Sequence, residues 1–258
     1  MSSRKTGRLS RLYRSITLYL VTNITVFLAI ILLKLLNRTT VIGAENVPHK
    51  PNTLLLSNHQ TMIDSFLVGG CTFFPHALVR PSIIPWNAAA EENFFGNPIL
   101  AWLSHNWKCM PIKRGRKDVG AIFKLAEALR HSPMMLFPEG TRSRTGQIGK
   151  ARGGAGLLVL ETQPTVIPVC IDGMDKVLPV GAIIPRIFKR VYVYYGKPMD
   201  LSCFYGRDKN KEVAHDIMDV VMSTIRDMQQ ELQQLRDKKA VKLKQTVVND
   251  SHFRNSEA

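Results

Sequence analysis

Acidic residues are absent from the first 44 positions of this 258-residue chain. They stay scarce afterwards: 20 Asp and Glu stand against 35 Lys and Arg, a formal net charge of +15. So basic a chain points to an anionic partner, which is a nucleic acid, an anionic membrane surface or a phosphorylated substrate. Cysteine is scarce too. Cys71, Cys109, Cys170 and Cys203 lie far apart with no Cys-x-x-Cys pair. That argues against a metal site or a disulfide framework and for free thiols in a reducing compartment. No Gly-x-Ser-x-Gly elbow offers a hydrolase-type serine nucleophile. Gly149-Lys150-Ala151 lacks the earlier glycine and the Ser or Thr of a P-loop, and Gly153-Gly154-Ala155-Gly156 lacks the dinucleotide spacing. Aromatics do not interleave with the basic stretches, so nothing supports a nucleic-acid partner beyond the charge itself. Repeats and low-complexity linkers are missing as well.

What is present begins with a basic cluster, Arg4, Lys5, Arg8, Arg11 and Arg14, followed by an almost wholly apolar block over residues 16–36. Thr17, Thr22, Asn23, Thr25 and Lys34 relieve it. As a helix the block is about 32 Å long, close to the hydrocarbon thickness of a bilayer. It is too long for a secretory signal, lacks a small-residue cleavage site, and is too apolar for a transit peptide. A membrane helix is the expectation, and a buried helix of a soluble protein is the alternative.

Downstream, short apolar runs bounded by Pro, Gly and polar residues predict strands at residues 40–42, 53–56, 77–79, 109–112, 134–137, 166–171 and 191–195. Runs such as Thr53-Leu54-Leu55-Leu56 predict strands buried on both faces. Helical spacing appears at residues 118–131, at 153–162, and from Val213 through Ile217, Val220, Val221, Ile225, Met228, Leu232 and Leu235. The polar tail beyond Arg236 is expected to fray. The alternation predicts an α/β fold: a mostly buried sheet of about seven strands flanked by helices, preceded by an N-terminal membrane helix. The expected division is residues 1–38 as basic N-terminus and anchor, 39–236 as the domain, and 237–258 as the tail.

The chemistry concentrates in two strings. Asn58-His59-Gln60-Thr61-Met62-Ile63-Asp64 follows a predicted buried strand. Five residues along a regular helix is about 140° of rotation, so His59 and Asp64 meet only if His59 sits in the turn and Asp64 opens the next helix. Asp64 would then hold one ring nitrogen and leave the other free as a base. Thr61-x-x-Asp64 also fits a helix capping box, and His59 also fits a hydrogen-bonded loop residue. The second string, Phe137-Pro138-Glu139-Gly140-Thr141-Arg142-Ser143-Arg144, leaves another strand. Gly140 permits close backbone approach, and Arg142 and Arg144 offer planar forks suited to phosphate. Lys113-Arg114 and Lys150 and Arg152 add charge at neighbouring positions.

Together the strings resemble the glycerolipid acyltransferase family of 1-acylglycerol-3-phosphate acyltransferase type, which carries Asn-His-x-x-x-x-Asp and Phe-Pro-Glu-Gly-Thr-Arg-Ser. The resemblance covers roughly residues 41–198 and includes Val166-Ile167-Pro168-Val169. It implies the glycerolipid acyltransferase fold and transfer of a fatty acyl group from acyl-CoA or acyl carrier protein to the hydroxyl of 1-acylglycerol-3-phosphate, giving phosphatidic acid. It also implies that His59 and Asp64 are catalytic and that Arg114, Glu139, Gly140, Thr141, Arg142 and Arg144 bind substrate. No cofactor or metal is required beyond the acyl donor. The family's Gly-x-x-Phe-Ile-x-Arg block is altered here to Lys108-Cys109-Met110-Pro111-Ile112-Lys113-Arg114. That stretch, Trp86-Asn87-Ala88-Ala89-Ala90-Glu91 and the string from Gly173 to Pro179 look like the tafazzin branch. The alternative reading is therefore a phospholipid–lysophospholipid transacylase, or an acyltransferase for another lysolipid. Expected partners are membrane lipids, a lysophospholipid acceptor and the acyl donor.

A full single span would keep the basic N-terminus in the cytoplasm and put the domain on the far side, away from a cytosolic donor and from reducing conditions. A helix lying in the interface, with both ends and the domain on the cytoplasmic face, removes that conflict.

Overall fold

The apolar run at Thr53 becomes strand β2 (Thr53–Ser57), buried along its whole length. Alternate residues serve opposite faces: Leu54 and Leu56 join one core cluster, Leu55 the other. Around β2 stand β1 (Arg38–Ile42), β3 (Trp86–Ala90), β4 (Cys109–Ile112), β5 (Met134–Leu136), β6 (Thr165–Asp172) and β7 (Arg190–Tyr195). They form one sheet in the order β1-β7-β6-β2-β5-β3-β4. Every pairing is parallel except β6 with β7. The computed structural model describes residues 2–113 and 119–255.

Six longer helices cover the sheet: α1 (Ser2–Ile30), α2 (Asp64–Phe73), α3 (Pro98–Asn106), α4 (Val119–His131), α5 (Gly153–Thr162) and α6 (Lys211–Asn255). Helix α3 starts where Asn97 accepts the amides of Ile99 and Leu100 at 2.9 and 3.2 Å, with Pro98 as first residue. One face of the sheet packs on α4, α5 and α6 through Leu125, Leu129, Leu158, Ile217 and Ile225. The other packs on α2 and on Ile31–Leu35, a π-helical turn that continues α1, through Leu67, Val68, Phe73 and Leu33.

From Tyr19 onward, helix α1 lies along the domain. Tyr19 Oη donates to Leu78 O at 3.0 Å, Thr22 Oγ1 to Asn106 O at 2.5 Å, and Trp107 Nε1 to Thr25 Oγ1 at 3.1 Å. Its opposite face leaves Leu12, Ile16, Leu20, Ile24, Phe27 and Leu28 exposed. The stretch Leu12–Leu35 is long and apolar enough to cross a membrane.

Two expectations need correction. Residues 77–79 are not a strand but part of a helical turn, His76–Val79; only Ala77 is buried, and Leu78 and Val79 face outward. The missing strand is β3, whose Trp-Asn-Ala-Ala-Ala carries no β-branched residue and so no strand signature. Its pairing with β4 and β5 decides its conformation. Past Arg236, helix α6 continues to Asn255.

Helices α5 and α6 cross where Gly156 meets Ala214. A Cβ on Gly156 would lie 2.0 Å from the Ala214 carbonyl oxygen, a main-chain atom that cannot rotate away. Gly156→Ala is therefore expected to push the helices apart and cost roughly 1–3 kcal/mol. Thermal unfolding reads this as a lowered midpoint, while Gly154→Ala, where a Cβ meets nothing within 4 Å, leaves it near wild type.

Candidate active site

In a parallel sheet the strand C-termini share one edge, and side chains on the loops that leave it converge there. Strand β2 ends at Ser57 and delivers Asn58, His59 and Gln60; β5 ends at Leu136 and delivers Phe137 and the Glu139–Arg144 string; β4 ends beside Lys113. Three strings thus come to one edge from remote parts of the sequence.

His59 lies in the turn and Asp64 is the first residue of α2, the arrangement their spacing requires. His59 Nδ1 stands 3.0 Å from Asp64 Oδ2. The same oxygen accepts the amides of Gln60 at 2.6 Å and Thr61 at 2.8 Å, and Oδ1 accepts Thr61 Oγ1 at 2.5 Å. Asp64 is fully buried. A buried carboxylate needs such donors, and a ring facing it carries its proton on Nδ1. Nε2 then remains free to accept a proton, with no hydrogen-bond partner among the described residues. The ring stacks on Phe137 at 4.1 Å between centroids and 18° between planes, with 16% of its side chain exposed. The capping alternative is half realised: the Asp64 carboxylate takes the Thr61 amide, but Thr61 Oγ1 donates to the carboxylate instead of accepting a helix amide, and the cap residue is Ile63.

Sequence reasoning did not foresee what holds this turn. Asn58 forms two hydrogen bonds with the β6 main chain: Nδ2 donates to Ile171 O at 2.8 Å, and Ile171 N donates to Oδ1 at 2.7 Å. Gln60 Oε1 accepts Met174 N at 2.9 Å. His59 is thus clamped from both sides by neighbours pinned to β6 and the turn after it. Glu139 joins the two strings. Its Oε1 accepts the His59 amide and Oε2 the Gly149 amide, each at 2.9 Å. Burial raises the Glu139 acid, opposed by those two amides and by His59. Glu139, a substrate-binding residue on resemblance, thus has both oxygens on main-chain amides. Ser143 N donates to His59 O at 2.7 Å, which sets Arg142 and Arg144 on either side of a residue bonded to the histidine. Gly140 takes a left-handed φ of 65°, and a Cβ there would meet the Arg152 side chain at 2.9 Å. Thr141 is exposed on the same loop. Arg114 falls outside the described residues.

Three of the four cysteines are poor candidates for an acyl-enzyme. Burial pushes the Cys71 thiol up to about 11 and Cys109 up to about 12, and raises Cys170 further, so none offers a thiolate near neutral pH.

The altered second block has a structural reading. Lys108 takes a φ of 52°, a left-handed conformation that glycine adopts without strain. Its buried ammonium donates to Ile84 O at 2.8 Å and Ser132 Oγ at 3.3 Å, and lies 5.6 Å from the Trp86 ring centroid. Burial pushes its pKa down to about 8. An unfolded lysine titrates at roughly 10.4. Between these values the unfolded chain binds more protons, so stability gained at this site rises with pH, and below about 8 the burial penalty is present in full. Relative to Lys108→Met, the wild-type protein should therefore gain stability from pH 8 toward pH 10, on the order of 2 kcal/mol. Denaturant midpoints of both proteins across that range check this, and a flat difference would remove it.

Comparison with known proteins decides the family. The acyltransferase family model matches residues 38–172, just over half of the chain. The chain belongs to the acyltransferase family. A chloroplastic 1-acyl-sn-glycerol-3-phosphate acyltransferase of Brassica napus is 27% identical over 184 residues, covering 68% of this chain and 50% of that protein. An N-acylphosphatidylethanolamine synthase of Arabidopsis thaliana is 27% identical over 164 residues, 58% of this chain and 56% of that one. The chain thus spans about half the length of these relatives. The crystal structure of a 1-acyl-sn-glycerophosphate acyltransferase from Thermotoga maritima superposes with a TM-score of 0.55 at 24% identity, over 74% of this chain and 72% of that one, and shares the fold.

Proposed function

We propose that this acyltransferase moves a fatty acyl group from a thioester donor, acyl-CoA or acyl carrier protein, to the free hydroxyl of 1-acylglycerol-3-phosphate, forming phosphatidic acid. The observation that carries the reading is the buried Asp64 carboxylate on His59 Nδ1, with Nε2 free at the strand edge. His59 Nε2 takes the hydroxyl proton as the hydroxyl oxygen attacks the thioester carbonyl. The C–S bond breaks, and the imidazolium returns its proton to the departing thiolate. Asp64 stabilises the imidazolium between these events. No covalent acyl-enzyme forms. Arg114 and Arg142 hold the acceptor phosphate with Arg144 in support, since planar guanidinium forks match phosphate oxygens.

The Lys108 and Pro111 departures favour a second reading, transfer from a phospholipid donor. One assay separates the two. Purified protein in anionic vesicles receives labelled acyl-CoA or labelled phospholipid, with 1-acylglycerol-3-phosphate as acceptor. Phosphatidic acid formed from acyl-CoA supports the first reading, and product from phospholipid alone supports the second.

Helix α1 supports a membrane placement. Contacts from Tyr19 to Leu33 hold the domain beside about 21 Å of this helix. A helix so occupied would drag polar protein into the hydrocarbon if it crossed the bilayer alone. We place α1 in one leaflet, apolar face to the lipid, with the domain on the cytoplasmic face.

A further inference from the structure

The loop between β6 and β7 exposes more apolar surface than water tolerates in one place. Ile183 is 91% exposed, Ile184 81% and Phe188 70%, with Val180 and Ile187 also outward. Single exposed apolar residues are ordinary, but five in nine positions form a contact surface. Phe188 also holds a left-handed φ of 61°, which a bulky residue rarely adopts. The loop is not free to fold its apolar side inward, because main-chain bonds fix it. Arg186 N donates to Val177 O at 2.7 Å and Phe188 N to Leu36 O at 2.9 Å, and Arg38 N donates to Lys189 O at 2.8 Å. Asn37 Oδ1 accepts Lys189 N at 2.9 Å.

Those bonds tie the loop to the end of the apolar N-terminal helix, where Leu35 is 71% exposed and Leu36 also faces outward. The two apolar surfaces are therefore adjacent. Cations lie on both segments: Lys34 and Arg38 on one, Arg186, Lys189 and Arg190 on the other. No acidic residue occurs between Asp175 and Asp200, and none of the five cations forms a salt bridge to a carboxylate among the described residues. Exposed apolar side chains with unpaired cations beside them in the sequence match an anionic bilayer surface, where the chains enter the hydrocarbon and the cations meet headgroup phosphates.

Topology fixes which way this surface looks. Strand β6 runs parallel to β2, so both end at the edge that carries His59. Strand β7 runs opposite to β6, so it begins at that same edge, and β1, parallel to β7, begins there too. The loop and the end of the apolar helix therefore emerge beside the His59 turn, and Met174 N bonds Gln60 next to His59.

We propose that residues 180–188 form a second membrane-insertion element that, with the end of α1, seats the His59 edge of the sheet against an anionic bilayer. The proposal rests on the membrane placement of α1 and adds a second attachment point. Two points define an orientation where one helix alone leaves the domain free to roll, and they bring the base to the depth at which a lysolipid headgroup lies.

The test uses the full chain with Cys203→Ser and one environment-sensitive fluorophore at Ile184→Cys, at Ile24→Cys on the outward face of α1, or at Asp208→Cys beyond the far end of β7. Vesicles of phosphatidylcholine and phosphatidylglycerol carry spin-labelled acyl chains as quenchers. Labels at 184 and 24 should both shift to the blue and be quenched several-fold, with the label at 208 unchanged. Pure phosphatidylcholine vesicles should bind at least tenfold less protein. Quenching at 24 without quenching at 184, on vesicles that sediment the protein, overturns the loop's role and leaves the helix placement standing. Quenching at neither position, with no protein on the vesicles, overturns both. Quenching at 184 that is equally strong on uncharged vesicles overturns the part assigned to the cations.

Discussion

His59→Ala should lower acyl transfer by roughly 10²–10⁴-fold or more, the contribution of a positioned general base, while the protein folds and binds vesicles as before. The separation is expected from the bonding pattern. Removing the imidazole still leaves the Asp64 carboxylate accepting the amides of Gln60 and Thr61 and the Thr61 hydroxyl. The turn remains held by Asn58 on Ile171 and by Glu139 on the His59 main-chain amide, neither of which needs the ring. The change in stability should stay within about 1–2 kcal/mol, since what is lost is the ring's contact with Phe137 and one hydrogen bond. Initial rates with labelled donor, alongside circular dichroism and vesicle sedimentation, check all three. Activity within tenfold of wild type would remove His59 from the chemistry.

The second large effect concerns Asp64, and the choice of variant separates chemistry from folding. In Asp64→Asn the amide oxygen can keep the position that faces His59 and the amides of Gln60 and Thr61. The amide nitrogen then faces Thr61 Oγ1, whose hydroxyl can reverse its role and accept. The fold is therefore expected to survive, but a neutral amide no longer stabilises the imidazolium. Turnover should fall on the order of 10²–10⁴-fold, mainly in kcat, because the lost interaction grows only as the ring gains charge. Asp64→Ala is different. It leaves two main-chain amides and a hydroxyl without their acceptor inside a buried turn, at about 1–3 kcal/mol for each unsatisfied group. Asn should thus lose activity and keep its unfolding midpoint, and Ala should lose both. Asn with near-normal kcat would reduce Asp64 to a helix-start residue.

The parts of this fold that the sequence announces are those whose signal is local. The leucines of β2 read as a strand buried on both faces because alternate residues serve two cores at once. The meeting of His59 and Asp64 was legible because five residues of spacing leave few geometries in which the two side chains touch. Strand β3 was hidden because its alanines are held by neighbours, not by their own preference. Ala77-Leu78-Val79 misled for the opposite reason: its apolar character belongs to a surface turn against which Tyr19 of α1 packs. The braces of the candidate site were invisible on the same principle. Glu139 bonds an amide 80 residues away, and Asn58 pairs with a strand 113 residues away. Residue type records neither partner. Lys108 lies between these cases. Its departure from the glycine pattern was visible, but the left-handed backbone and the buried carbonyl that receives its ammonium were not.

An acceptor that carries a phosphate should be preferred over the same lipid without one. Initial acylation rates are measured at fixed acyl-CoA in the same anionic vesicles, with 1-acylglycerol-3-phosphate or its dephosphorylated counterpart 1-acylglycerol as acceptor. The two carry the same chain and the same attacking hydroxyl, so a difference reports recognition of the phosphate. The expected result is transfer to the phosphorylated acceptor at least 10²-fold faster, as charge-assisted pairing of two arginines with one phosphate implies, with the gap narrowing in Arg142→Ala. Equal rates for the two acceptors would contradict it.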